Sequence, residues 1–331
     1  MSVQMIDLVR MLRTPLELNC KPGDKILIVT DTAIDPIVWQ AFAAAAGTMN
    51  IEYTVALMSP RATHALNPTS AICTAAEDPE LDLVVYLTST ALAHSPLNAR
   101  LLEIGKRHLL MEELTPAMLR PDGPAGADYK AMNVLGKKVE KIFTEGKTIR
   151  VTCPNGTDLT ASIEGRPGRA ITGTVFKMRD NGGGGCAFPD GETHICPVEG
   201  TGEGRVVFDL TAHSVGALKE HIILTIEKGF VTKIEGGAQA ETWRNILATH
   251  GDPASYNAPA EIALGLNPNV KPVGSMRTDK KMYGTAHIGM GDTITLGGTC
   301  HAKLRLEGVI SKPEISVDGI KVSSQGKILV D

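Results

Sequence analysis

Residues 256–269 read YNAPAEIALGLNPN and residues 282–304 read MYGTAHIGMGDTITLGGTCHAKL, within a stretch, Tyr256–Leu306, around which the chain is organised. Three candidate metal ligands stand out in it, namely Glu261, His287 and His301, each among apolar or small residues. Two imidazoles and one carboxylate suit a divalent metal with open coordination positions, such as non-haem iron(II) or zinc. Alternatively, Glu261 caps a strand and both histidines are satisfied core residues. Spacing alone leaves both interpretations open, because the ligands form no tight motif.

The composition of the 331-residue chain is that of a globular protein with two domains or one large one. Its hydrophobic content of 43% permits a sizeable core, and its net charge of −4 provides no basic field for nucleic acid or anionic lipid. Six cysteines show no CxxC pairing, which is typical of thiols in a reducing compartment. The sequence contains no signal-peptide pattern and no apolar run long enough to span a membrane. A cytoplasmic protein without a nucleic-acid or membrane partner is therefore predicted.

The first part of the chain alternates strand and helix patterns. The sequence predicts helices at Met5–Leu12, ended by Pro15, and at Pro36–Gly47, and strands at Lys25–Thr30, Glu52–Met58, Asp82–Leu87 and Arg107–Met111. This alternation favours βαβ units and a parallel sheet. No glycine-rich nucleotide-binding motif follows any of these strands. Residues 1–146 are therefore predicted to form an α/β domain.

The residue pattern of the sequence changes after a charged helix predicted at Ala131–Thr144. Ile149–Ile163 consists of two alternating runs about Asn155-Gly156, which is a strong hairpin signal. Turn-rich and strand-rich sequence continues to the C-terminus, interrupted by one helical pattern at Ala238–Thr249. Residues 147–331 are therefore predicted to form a mostly β (α+β) domain that carries the metal-binding residues.

Further candidates for chemistry lie outside the opening stretch. Glu192 and His194 are two residues apart, so on a strand they would share one face and reach a metal or act as acid or base. The alternative is that Glu192 merely opens a strand after a turn. His94 follows the third strand of the α/β domain, where such domains place ligands, and is a candidate general base. Taken alone, a histidine there is more often a loop residue without a catalytic role.

Several collinear segments resemble the family of metallo-aminopeptidases typified by aminopeptidases T and S, which includes the ring-cleaving 2,5-dihydroxypyridine 5,6-dioxygenases. The segments are FPDGETHICPVEGTGEGRVVFD, IEKGFVTKIEGGAQAE, AEIALGLNPN, YGTAHIGMGD and GGTCHAKL, between Phe188 and Leu306. The overall length and the segment around His94 resemble the dioxygenase branch. The resemblance implies a homo-oligomer and a small-molecule substrate.

The two branches of this family imply different sites. The peptidases hold two metals, and their glutamate and histidine ligands fall on Glu192, Glu261, His287 and His301. In the ring-cleaving branch two histidines and an aspartate hold one iron(II), and these positions fall on Glu261, His301 and Lys303. A cation at Lys303, where both branches have an aspartate, disfavours a second divalent ion. The base of the ring-cleaving branch falls on His94.

These observations lead to the prediction of one divalent metal, with iron(II) favoured and zinc or manganese possible, bound by Glu261, His287 and His301. His94, Glu192 and Lys303 are the predicted catalytic residues. Lys303 is expected to share a strand face with His301 and, like His94, to contact the substrate, which then carries a negative charge. Three activities stay open: dioxygenase-like opening of a heteroaromatic ring, hydrolysis of peptides or small amides by a metal-activated water, and catalytically silent binding of a small ligand.

Overall fold

A computed structural model describes residues 3–64, 66–93, 95–178 and 180–330. The chain divides into two compact units, Met1–Tyr129 with Thr172–Asp190, and Lys130–Ile171 with Gly191–Asp331. This differs from the predicted division near residue 146. The long charged helix belongs to the second unit almost entirely, and a later segment returns to the first. A change of composition along the chain cannot reveal such a return.

The elements follow one another in the order expected of an α/β unit and a β-rich unit. The described α-helices are α1 Val3–Asn19, α2 Pro36–Thr48, α3 Ser70–Ala76, α4 Pro96–Glu103, α5 Tyr129–Glu145, α6 Ala238–His250 and α7 Met276–Asp279. The described strands are β1 Lys25–Asp31, β2 Glu52–Met58, β3 Leu83–Leu87, β4 Arg107–Leu110, β5 Thr148–Cys153, β6 Thr157–Ser162, β7 Arg169–Ile171, β8 Phe176–Lys177, β9 Gly184–Ala187, β10 Glu192–Ile195, β11 Glu203–Phe208, β12 Thr211–Ala212, β13 Gly216–Ala217, β14 Ile222–Glu227, β15 Phe230–Glu235, β16 Glu261–Gly265, β17 Ala286–Gly291, β18 Arg305–Ile310, β19 Glu314–Val317, β20 Ile320–Ser324 and β21 Lys327–Ile328.

The first unit is built on a six-stranded sheet of order β2-β1-β3-β4-β9-β8. All neighbouring pairs are parallel except β8 with β9. The central strands β1 and β3 are almost entirely buried, as expected of continuous apolar runs in a parallel sheet covered on both faces. The predicted α/β class of the N-terminal part is confirmed, and its four predicted strands are present within one residue at each end.

The helix predicted to end before Pro15 was placed wrongly, because α1 continues through this residue to Asn19. Leu8, Leu12 and Leu16 recur at four-residue spacing and are buried, and α1 packs against α2. Burial of this apolar stripe outweighs the backbone hydrogen bond that a proline removes from a helix.

The second unit contains two antiparallel sheets, confirming its mostly β class. Their strand orders are β13-β12-β18-β17-β16-β10-β7 and β15-β14-β11-β6-β5-β19-β20-β21. The predicted hairpin is present as β5 and β6, and Gly156 in its turn has a φ of 105°. The predicted helix at Ala238–Thr249 is present as α6. Within the described ranges, no helix has the length and apolar character needed to cross a membrane. All six cysteines are free thiols.

Asp31 ties together two turns at the carboxyl edge of the parallel sheet. Its Oδ1 accepts hydrogen bonds from the backbone N–H groups of Ala33 and Ile34, and its Oδ2 accepts from Ser89 N and Oγ. We expect Asp31→Ala to lower the free energy of unfolding by about 2 to 4 kcal/mol, because the buried Ile34 and the half-buried Ser89 both lose their acceptor. Asp35→Ala, which removes only the cap of α2, should cost about 1 kcal/mol in the same urea titration. Equal losses in the two variants would contradict this role of Asp31.

Candidate metal centre

Four neighbouring strands of the seven-stranded sheet, β10, β16, β17 and β18, deliver charged side chains to one face. In this antiparallel sheet His194 pairs with Ala263, which pairs with His287, and Glu261 pairs with Gly289, which pairs with Glu307. Residues that pair across antiparallel strands point to the same side. The four strands therefore gather Glu192, His194, Glu261, His287 and Glu307 on that face, and all five are buried. We call this set the Glu–His centre.

Small residues make room for these side chains. Gly289 stands between Glu261 and Glu307 in the register. A Cβ at this position would lie 3.4 Å from Glu307 Cγ and 3.5 Å from both Arg305 Nη2 and Glu261 Cβ. A larger side chain on this part of the strand would therefore fill the space that the carboxylates use.

Glu261 lies in the middle of the Glu–His centre. Its Oε1 is 3.2 Å from His194 Nδ1, and its Oε2 is 3.5 Å from His287 Nε2. Glu192 lies 3.5 Å from His194 through Oε1 and 3.6 Å from His287 through Oε2. Two ligand atoms bound at about 2.1 Å to a tetrahedral ion lie about 3.4 Å apart. The spacing of these oxygen and nitrogen atoms therefore fits a shared divalent ion.

The imidazoles support the same interpretation. In the part of the chain that the structure describes, neither ring nitrogen of His194 or His287 makes a well-aligned hydrogen bond, although His194 Nδ1 and His287 Nε2 lie 3.2 to 3.6 Å from carboxylate oxygens. Buried polar atoms are nearly always satisfied, so four such nitrogens beside two carboxylates need an explanation. A bound metal ion would supply one, because a neutral imidazole nitrogen is a good ligand.

Three cations border the centre. Arg305 contacts Glu261 through Nη2 and Glu307 Oε1 through Nε at 2.7 Å. Lys280 Nζ lies 2.7 Å from Glu307 Oε2, and Lys281 Nζ lies 2.5 Å from Glu192 Oε2. The three carboxylates of the centre are thus matched by three positive charges, which is how buried charges are usually tolerated.

The cations keep the carboxylates ionised. Burial is the largest single influence on each carboxyl and raises its pKa, but the neighbouring cations and histidines together outweigh it, led by Lys281 beside Glu192, Arg305 beside Glu261 and Lys280 beside Glu307. The pKa of Glu261 falls to about 2, and the pKa values of Glu192 and Glu307 lie well below their usual range. All three are anionic oxygen donors at neutral pH.

The structure brings together part of the predicted ligand set. Glu261 and His287 meet in the Glu–His centre, and Glu192 and His194 share one face of β10 as the two-residue spacing predicts. His301 is placed differently: its side chain is 88% exposed, and its Nδ1 lies 3.2 Å from Asp292 Oδ2. The groups of convergent ligand atoms found among the described residues do not include it. His301 as a ligand stays a prediction.

The expectation that Lys303 shares a strand face with His301 was wrong, because β18 begins only at Arg305. Lys303 is exposed in an irregular segment, and its backbone N–H donates to Asp252 Oδ1. Arg305, two residues later, is the cation that faces Glu261. The sequence signal for it was the alternation of Arg305 and Glu307 in the otherwise apolar strand RLEGVI.

Other members of the site were missed for a structural reason. Lys280 and Lys281 follow the one-turn helix α7, whose end Asp279 is fixed by hydrogen bonds from Val273 N, Gly274 N and Thr211 Oγ1. No periodic pattern predicts that a lysine pair in such a turn faces inward. The predicted base His94 lies outside the described residues.

Glu199 fixes the loop that leads to His301. Its Oε1 accepts hydrogen bonds from Thr299 N at 2.6 Å, Thr293 Oγ1 at 2.8 Å and Cys300 N at 3.2 Å, and its Oε2 pairs with Arg166. Burial acts to raise the pKa of Glu199, and these hydrogen bonds outweigh it and lower the pKa to about 2. The ionised carboxylate is therefore the form that holds the loop.

Glu199 should make part of the stability of the wild type pH-dependent in a defined window, and its replacement should remove this part. A carboxyl whose pKa is lower in the folded state stabilises the fold above its unfolded pKa, and this contribution is lost as pH falls. At pH 7 we expect the free energy of unfolding of Glu199→Gln to be about 1 to 3 kcal/mol lower than that of the wild type. This difference should shrink as the pH falls from about 4.5 to 2. Chemical denaturation across this range measures it. Glu164→Gln, at an exposed ion pair with Lys147, should show a difference below about 0.5 kcal/mol at every pH. A Glu199→Gln difference that is the same at pH 2 and pH 7 would refute the role.

Comparison with known proteins gives a consistent result. A family model described as 2,5-dihydroxypyridine 5,6-dioxygenase (NicX) matches residues 7–329. A curated 2,5-dihydroxypyridine 5,6-dioxygenase from Pseudomonas putida KT2440 is 27% identical over 260 residues, which are 75% of this chain and 71% of that protein.

Two solved structures share the fold. The 2,5-dihydroxypyridine dioxygenase from Pseudomonas putida KT2440 superposes with a TM-score of 0.81 at 23% identity, covering 100% of this chain and 99% of the other. AmpT from Thermus thermophilus superposes with a TM-score of 0.70 at 14% identity, covering 98% and 99%. The combined α/β and β-rich architecture is therefore that of these proteins.

Proposed function

Because the chain belongs to the 2,5-dihydroxypyridine 5,6-dioxygenase family, we propose that it opens a small, polar heteroaromatic ring with molecular oxygen at the Glu–His centre. The resemblance inferred from the segments between Phe188 and Leu306 is confirmed by the family match. The chain is accordingly a ring-cleaving enzyme of the dioxygenase type. The hydrolase alternative is not favoured, since the matching family and the curated relative are both named for ring cleavage.

One observation carries the proposal: the Glu261 carboxylate lies beside ring nitrogens of His194 and His287 that make no well-aligned hydrogen bond among the described residues. Two imidazoles and one carboxylate with open positions are the donor set typical of non-haem iron(II) oxygenases. Iron(II) is therefore the favoured ion, with zinc or manganese as alternatives. When bound, such an ion supplies coordination positions for a chelating substrate and for oxygen. The residues present fit it in donor type, burial and spacing.

The chain's own groups would complete the site. Glu192 lies 3.5 Å from His194 and is held by Lys281, so it can serve as a further ligand or accept a proton. The substrate is proposed to be a hydroxylated pyridine or a similar ring that carries a negative charge, because a divalent ion added to the charge-balanced centre would attract an anionic group. His94 as general base and Lys303 as partner of the anionic group stay predictions from the sequence.

The proposal is tested by turnover under controlled oxygen. Protein purified without oxygen and loaded with iron(II) should consume one 2,5-dihydroxypyridine for each O₂ and lose the ring absorbance. Omission of oxygen or addition of a chelator should stop the reaction. Zinc-dependent peptide hydrolysis that does not require oxygen would support a hydrolase instead. Binding of the ring compound without turnover would support a catalytically inactive binding protein.

The assignment of His194 as a metal ligand can be separated from that of His301. We expect His194→Gln to weaken zinc binding by more than about 100-fold, since loss of an outer-shell partner alone costs about 10- to 100-fold. The matched variant His301→Gln should bind zinc as the wild type does, because its side chain lies in solvent. Calorimetric titration of both variants with zinc decides between them. The opposite pattern would restore His301 to the ligand set and remove His194.

A further inference from the structure

Two groups of convergent ligand atoms share Glu261. The first group consists of Glu192, His194 and Glu261, and the second consists of Glu261, His287 and Glu307. Within each group the ligand atoms lie within 4.8 Å of one another. Glu261 presents Oε1 to His194 and Oε2 to His287, so each of its oxygens faces one group. The sheet thus has two adjacent positions where a cation could be held.

The second position already contains a cation of the chain itself. Arg305 contacts Glu261 Oε2 through Nη2 and Glu307 Oε1 through Nε. One guanidinium thereby bridges the two carboxylates that a metal at this position would need. The remaining oxygen of Glu307 is engaged by Lys280. Arg305 and Lys280 together neutralise both carboxylates of the second group.

The first position is left open by comparison. Lys281 contacts Glu192 Oε2, whereas His194 Nδ1 lies 3.5 Å from Glu192 Oε1 and 3.2 Å from Glu261 Oε1. A divalent ion there would meet two carboxylates and only one directly paired lysine. The same ion at the second position would have to displace the guanidinium that bridges Glu261 and Glu307, and it would lie beside the ammonium of Lys280.

We propose that the Arg305 guanidinium permanently occupies the second cation position, so that this chain binds one divalent ion and not two. The inference rests on the proposed metal centre, with the ion at the first position. His287 also borders that position, because its Nε2 lies 3.6 Å from Glu192 Oε2. The inference assigns to Arg305 a role in setting the number of metals. One bound metal suits a ring-opening oxygenase, whereas a pair of metals suits hydrolysis.

The test is the amount of zinc bound per chain, which needs no substrate. Equilibrium dialysis against zinc should give about one ion for the wild type and about two for Arg305→Met, because the variant frees Glu261 Oε2 and Glu307 Oε1. Lys303→Met removes a positive charge from the same segment but leaves the contacts of Glu261 and Glu307 intact. It should therefore still bind about one zinc ion per chain. Arg305→Lys keeps the positive charge and should also bind about one.

Arg305→Met also deprives two buried carboxylates of their counter-ion, which costs stability. Thermal unfolding with and without zinc controls for this effect, and zinc should raise the midpoint of the variant more than that of the wild type. The double variant Arg305→Met with Glu307→Gln removes a ligand of the second position together with the cation. It should fold more stably than Arg305→Met and return to about one ion.

The outcomes separate this inference from the proposed function. One ion in both wild type and Arg305→Met would overturn the inference and leave the metal centre standing. A second ion in Lys303→Met but not in Arg305→Met would overturn it in favour of Lys303. Wild-type protein that binds no zinc and no iron(II) would overturn both the inference and the metal centre.

Discussion

Glu261→Gln should lose its metal and lower kcat/KM for ring opening by about 10³-fold or more, while the fold is retained. A neutral amide is a poor ligand for a divalent ion. The substitution also leaves Lys280, Lys281 and Arg305 facing only two carboxylates, so the centre gains a net positive charge that repels a metal. Metal content per chain and turnover of 2,5-dihydroxypyridine under oxygen are the two measurements.

Glu241→Gln is the matched control for this variant. It makes the same chemical change at an exposed ion pair with Arg244 on α6, and should keep both metal and activity. Circular dichroism establishes that both variants are folded. Normal metal content in Glu261→Gln would mean that Glu261 is a structural partner of Arg305 and not a ligand.

His94→Ala should lower kcat by about 10²- to 10⁴-fold with full metal occupancy. This is the range expected when a general base is removed from a limiting proton transfer. The prediction rests on the position of His94 after the third strand of the α/β unit and on its place in the family pattern. The described residues before it are held in place: Ser89 N donates to Asp31, and Ala91 N donates to His64 Nδ1 at 2.9 Å.

Turnover, metal content and the dependence of kcat on pH together identify the role of His94. Loss of a base should remove the ionisation that limits kcat at low pH. His250→Ala, at the exposed end of α6, serves as the control and should behave as the wild type does. Wild-type turnover in His94→Ala would exclude it from the mechanism.

Local patterns predicted the elements of the fold well. Apolar runs bounded by turns located the strands of the parallel sheet. Asn155-Gly156 located a hairpin because Gly156 takes the positive φ that its three-residue turn, residues 154–156, requires. Local patterns failed where contacts with distant parts of the chain determine the structure. Pro15 stays inside a helix because α1 buries an apolar stripe, and the glycine-rich strand β9 carries no signal that it pairs with β4.

The site was predictable where ligands alternate on strands. Glu192 and His194 follow the two-residue period of a strand. Glu261 begins the apolar strand β16, and His287 lies within the apolar strand β17. Prediction failed at the start of β18, since extending the strand back to Lys303 placed the cation two residues too early. The pairing of Arg305 with two carboxylates depends on register between strands, which no single segment contains.

Anomalous diffraction from crystals of the iron-loaded protein tests the central claim most directly, because it locates the metal. We predict one peak per chain within about 2.0 to 2.3 Å of ligand atoms from Glu261, His194 and His287. No peak is expected between Glu261 and Glu307, where Arg305 lies. A peak beside His301 and Asp292, with none at the Glu–His centre, would contradict the account.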